Sequence, residues 1–140
     1  MAKVADGSYE NGTMTATISE ACRGLVYTSE TDAAFEPFFR AAANVISESA
    51  LLDRLKLEFG DRYEEVSVDA FFERLMRAET WHTPNQKRNI KKMGALKNLL
   101  VSNLTNVRVF RIGRIRIDIL AVGLDKEGNI AGIRTRAVET

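Results

Sequence analysis

Few side chains in this sequence are able to do chemistry on their own. The 140 residues hold one histidine, His82, and one cysteine, Cys22, and the two lie far apart. A zinc site takes three or four Cys, His or carboxylate ligands, and covalent catalysis needs a nucleophile within reach of a base. No recognisable nucleophile motif surrounds either residue. His82 sits just ahead of a helix start, and Cys22 falls on or beside an apolar stripe, where a thiol behaves as a small core residue. The nine glycines are scattered over turns and helix ends and form no phosphate-cradling loop. These absences argue against an enzyme and against a cofactor of the chain's own.

Contact chemistry is better represented. The run Thr28-Ser29-Glu30-Thr31-Asp32 is polar between two apolar segments, and its residue types compete with the backbone for hydrogen bonds, so it is expected to be a loop carrying the carboxylate of Glu30. Trp81 stands in the polar stretch Glu79-Thr80-Trp81-His82-Thr83, where it is either a partly buried aromatic or a surface anchor for a partner. Lys87, Arg88, Lys91, Lys92 and Lys97 give one helix a basic side able to track a phosphate backbone, although a solvated helix face has the same pattern. The last strand runs almost to Thr140, whose oxygens would then sit on a rigid support.

Composition bounds the partners. Lys and Arg total 20 against 19 Asp and Glu, a formal net charge of +1, so net charge favours neither nucleic acid nor an acidic membrane, and any charge-driven recognition must be local. The apolar fraction of 45% suits one globular domain with its own core. No apolar run reaches the roughly 18–20 residues needed to span a bilayer. The lone cysteine and the lack of a secretory leader pattern point to the cytoplasm.

These groups need elements to position them. Residues 1–12 are expected to be a flexible tail, leaving a single domain over 13–140. Thr17 and Glu20 suggest a capping box for a short first helix with Met14, Ile18, Ala21 and Leu25 on one face, ending at Gly24. Phe35 to Arg40 carries Pro37 and reads as an edge strand. Asn44 to Phe59 reads as a helix with Leu51, Leu52, Leu55 and Phe59 on one face. Tyr63 to Val68 follows as a short strand, and Asp69 is expected to cap a helix through Phe71, Phe72, Leu75 and Met76. Thr83-Pro84-Asn85-Gln86 is the clearest helix start, with Thr83 as N-cap, and its helix runs to about Asn103 with Ile90, Met93, Leu96, Leu100 and Leu104 inward. The apolar period then changes to two. Val107–Ile112, Arg114–Val122 and Ile130–Val138 predict an antiparallel meander, turning at Gly113 and at Asp125–Asn129. The fold class is α+β, with about four helices and about five strands.

The segment Val109-Phe110-Arg111-Ile112-Gly113, then Ile117-Asp118, Gly128-Asn129-Ile130-Ala131-Gly132-Ile133 and the ending Val138-Glu139-Thr140 are similar to the C-terminal half of the nuclease A inhibitor family. Gly24-Leu25, Ser29-Glu30, Asp69-Ala70-Phe71-Phe72 and Trp81 fall in that family's order. The resemblance implies a three-layer α/β/α sandwich with an antiparallel sheet, and a stoichiometric inhibitor of a sugar-nonspecific, metal-dependent nuclease of the ββα-metal class. It further implies that Glu30 occupies the phosphate position, that Thr140 approaches the divalent metal of the target, and that Trp81 anchors the interface. The residues alone support a second reading, a binding module that uses the basic helix and Trp81 on nucleic acid or on another protein.

Overall fold

The computed structural model describes residues 7–41, 48–77 and 84–140. Their elements are α1 (Gly7–Cys22), β1 (Val26–Thr28), β2 (Asp32–Ala34), β3 (Glu36–Arg40), α2 (Glu48–Phe59), β4 (Tyr63–Val66), α3 (Val68–Leu75), α4 (Pro84–Asn103), β5 (Thr105–Gly113), β6 (Arg116–Leu124) and β7 (Ile130–Val138). Five strands form one antiparallel sheet in the order β3-β7-β6-β5-β4, and β1 and β2 form a separate antiparallel hairpin.

Alternation along the meander creates two cores. On one face of the sheet Val109, Ile117, Ile119, Ala121, Ile133 and Ala137 pack against Ile18 and Cys22 of α1, Phe71 and Phe72 of α3, and Met93, Leu96 and Leu100 of α4. On the other, Phe38, Phe110, Ile112, Leu120, Val122 and Ile130 pack against Leu51 and Leu55 of α2. A strand shows alternate side chains to opposite faces, so helices on both sides complete the expected three layers. β3 lies at the sheet edge, as Pro37 requires.

Two glycines permit this register. Gly113 (φ 124°) and Gly132 (φ 157°) both hold a left-handed backbone, and a Cβ at either would run into a neighbouring carbonyl oxygen, that of Arg116 or of Ala121. Only glycine fits such a close approach.

Several local expectations are corrected. α1 spans Gly7–Cys22, so Thr17 and Glu20 lie inside the helix instead of capping it. A capping motif needs non-helical backbone at its first residue, which mid-helix residues lack. Ser67, not Asp69, caps α3: its hydroxyl accepts from the Ala70 N–H at 3.1 Å, and β4 therefore ends at Val66. Asp69, in the first turn of α3, faces Lys97 at 2.8 Å instead. The β1–β2 hairpin leaves no periodic signature in the sequence, because strands of three residues are too short to show a period. Thr83, the expected N-cap of α4, lies outside the described residues, as do Trp81 and His82.

Candidate functional site

The polar run after α1 is the turn of the β1–β2 hairpin, with Thr28 and Asp32 paired across it and residues 29–31 at its tip. Neighbouring structure holds this tip in place. Tyr27 packs against the rings of Phe35 and Phe71, at centroid distances of 6.3 and 6.2 Å. The buried hydroxyl of Thr135 on β7 lies 3.0 Å from the Ala34 carbonyl, to which it donates. At the tip itself, the Val138 N–H donates to Ser29 Oγ at 3.0 Å and the Glu30 N–H donates to the Val138 carbonyl at 3.2 Å. The hairpin is thus stitched to the end of β7.

That stitching sets Glu30 directly against Thr140. The Thr140 N–H donates to Glu30 Oε2 at 2.6 Å, and the Thr140 hydroxyl lies 3.0 and 2.9 Å from the two carboxylate oxygens. Hydrogen bonds onto an ionised carboxylate are the strong, short kind. Both residues stay solvent-exposed, so the carboxylate is held in one orientation while remaining accessible. A hydroxyl that donates its proton to Glu30 still has lone pairs for an incoming hard cation or donor.

Sequence reasoning missed the residue that ties the supports of this pair together. Arg111 of β5 places one nitrogen 2.6 Å from Glu139 Oε2 and donates toward the Tyr27 hydroxyl at 3.4 Å; its Nε lies 3.5 Å from Glu64. Partial burial works against its charge, but the Glu139 carboxylate and the Tyr27 oxygen outweigh that, and the guanidinium is held above its ordinary pKa. Tyr27 leads into the Glu30 turn, and Glu139 precedes Thr140. The Glu139 N–H also donates to the Ile115 carbonyl in the β5–β6 turn, at 2.9 Å. The signal available in the sequence was a charged residue set between the apolar Phe110 and Ile112.

A family model for nuclease A inhibitor-like proteins matches residues 12–140. The chain belongs to the nuclease A inhibitor-like family. The match spans every strand and reaches Thr140, so both members of the Glu30–Thr140 pair lie within the region that defines the family. No curated protein sequence matches the chain.

The basic helix of this family member is partly occupied by the fold itself. Lys92 donates to the Arg23 carbonyl just past the end of α1, where a cation complements the helix dipole. Lys97 is paired with Asp69. Cys22 is buried, and burial pushes its thiol up to about 11, with Glu36 adding to the shift and Lys92 opposing it. Among the described residues no three His, Cys, Asp or Glu side chains gather as a metal site, and no helix is long and apolar enough to cross a membrane.

Proposed function

We propose that this protein is a stoichiometric inhibitor of a sugar-nonspecific, metal-dependent nuclease of the ββα-metal class, and that it acts by occupying the active site without catalysing a reaction. The observation that carries this reading is the exposed Glu30 carboxylate, fixed by the backbone N–H and hydroxyl of Thr140. A nuclease of this class binds a phosphate through a divalent metal and nearby basic groups. Glu30 supplies a compact anion at that phosphate position, and Thr140 presents a neutral oxygen beside it for the metal, which belongs to the target and not to the inhibitor. Trp81 is assigned as an anchoring contact by family resemblance.

Preorganisation is the physical advantage of the arrangement. A carboxylate on a free loop would lose rotamer and backbone freedom on docking, whereas Glu30 is already hydrogen-bonded in one orientation. Cytoplasmic action fits a chain whose single thiol is buried rather than bridged. The basic helix is the weaker candidate for a binding surface, because Lys92 and Lys97 are engaged within the fold.

The deciding experiment titrates the native chain into a sugar-nonspecific ββα-metal nuclease and follows DNA cleavage. Inhibition complete at one-to-one stoichiometry, and relieved by Glu30→Ala or by removal of Thr140, is expected. Full nuclease activity at excess native chain would overturn the proposal. Loss of labelled-DNA retention on neutralising Lys87, Arg88, Lys91 and Lys92 would instead assign the protein to nucleic-acid binding.

A further inference from the structure

We infer that the Glu30–Thr140 pair is bordered by a cationic rim, formed by Arg62, Arg114 and Arg116, that receives carboxylate side chains of the target protein. The inference rests on the inhibitor reading above and adds the chemistry that the target must present around its cleft. Backbone contacts bring the three arginines to the border of residues 138–140. The Gly113 N–H donates to the Arg62 carbonyl at 2.8 Å, the Glu139 N–H donates to the Ile115 carbonyl at 2.9 Å, and Arg116 stands opposite Val138 in the β6–β7 register.

Arg62 and Arg114 line a shallow cleft of about 280 Å³ together with Arg111, Glu64 and Glu139. Within it both carboxylates are directed at Arg111. Arg62 and Arg114 are exposed and have no ion pair among the described residues. Arg116 is exposed as well, and the nearby Asp118 is taken by Arg134 at 2.7 Å, with Arg136 at 3.7 Å. Three guanidinium forks therefore face water beside an acidic centre.

The pattern selects a folded protein over a polyanion. Glu30, Glu64 and Glu139 stand among the arginines, and a run of phosphates crossing them would meet like charge at each. A protein can set cations at its centre and carboxylates around them, which arginine forks bind in bidentate fashion. Tyr63 and Ile115 are 43% and 51% exposed on the same rim. Aromatic and apolar side chains beside arginine are the composition of a protein interface rather than of a phosphate track.

The test compares the native chain, the triple variant R62E/R114E/R116E, the control K87E/K91E and E30Q on a panel of sugar-nonspecific ββα-metal nucleases, reading association and dissociation rates at low and moderate salt. The triple variant is expected to associate at least about tenfold more slowly, with a flatter salt dependence, while melting at the native temperature. The control should associate at the native rate, and E30Q should act through faster dissociation. Unchanged association by the triple variant would overturn the rim, and faster association would do so by showing a basic surround on the target. Retention of labelled duplex DNA by the native chain, lost in the triple variant, would assign the arginines to phosphate and overturn it too. If the native chain inhibits no nuclease of the panel, the inhibitor reading fails before any variant is compared, and the rim fails with it.

Discussion

The Glu30 carboxylate accepts hydrogen bonds from both the backbone N–H and the hydroxyl of Thr140, 110 residues further along the chain. Two groups that contact each other should not contribute independently. In a double-mutant cycle, Glu30→Gln and Thr140→Val are each expected to weaken nuclease inhibition by about 2–4 kcal/mol, with the double variant well short of the sum. Additive losses, measured as inhibition constants, would mean that the pair does not act as one unit.

Arg111 should matter for inhibition more than for folding. Its contacts run to Glu139, Tyr27 and Glu64, and Tyr27 and Glu139 flank the two halves of the pair. Arg111→Met is expected to lower the affinity for the nuclease about tenfold or more while costing roughly 1–2 kcal/mol of stability. Arg111→Lys keeps the charge but loses the fork, so it should restore stability better than inhibition. Parallel recovery of both would reduce Arg111 to a structural residue.

Gly132 provides a test of the fold. A Cβ there would collide with the Ala121 carbonyl on the neighbouring strand, in a backbone conformation that L side chains rarely adopt. Gly132→Ala is expected to destabilise by about 3 kcal/mol or more, because β6 and β7 would have to separate at the centre of the sheet. Chemical denaturation measures this directly, and a near-native midpoint would show that the strand pairing is looser than described.

Acid and alkali should act through different residues. Hydrogen bonds from Arg40 and Arg108 hold the Glu58 and Glu65 carboxyls below their ordinary range. A depressed folded-state value gives stability that is present above the unfolded-state value and is lost as pH falls through the folded one, so Arg40→Met and Arg108→Met should flatten the loss below about pH 4.5. Both pairs are partly exposed to screening by water, and the effect should be small.

Cys22 has the opposite sign. With its thiol raised to about 11, its contribution is present below the unfolded-state value and is lost as pH rises through the folded one. Alkylation of the native protein is expected to be slow at neutral pH and to accelerate in denaturant. Rapid modification of the folded chain at neutral pH would place the thiol at the surface.

Much of this architecture follows from local patterning. The change from a helical to a strand period after Leu104, the stripe through Met93, Leu96 and Leu100, and the alternation from Ile117 to Val122 each report one buried face, because burial recurs at the period of the backbone. Pro37 located a sheet edge, since it lacks a donor for a central ladder. Family resemblance singled out Glu30 and Thr140 one residue at a time.

Tertiary structure decided what periodicity does not encode. The β1–β2 hairpin depends on contacts of Tyr27 with Phe71 and of Thr135 with Ala34, both distant in sequence. The shared role of Arg111 appears only once β5 lies beside the hairpin and the 138–140 segment. Whether a lysine of α4 is free or engaged is likewise set by another element, as Lys92 shows at the end of α1. The sequence alone determined which faces of the helices and strands are apolar and which polar side chains the chain carries, because those depend on residue type and local spacing. The convergence of Glu30, Arg111 and Thr140 was decided by long-range strand pairing, whose register is set by packing across the whole sheet.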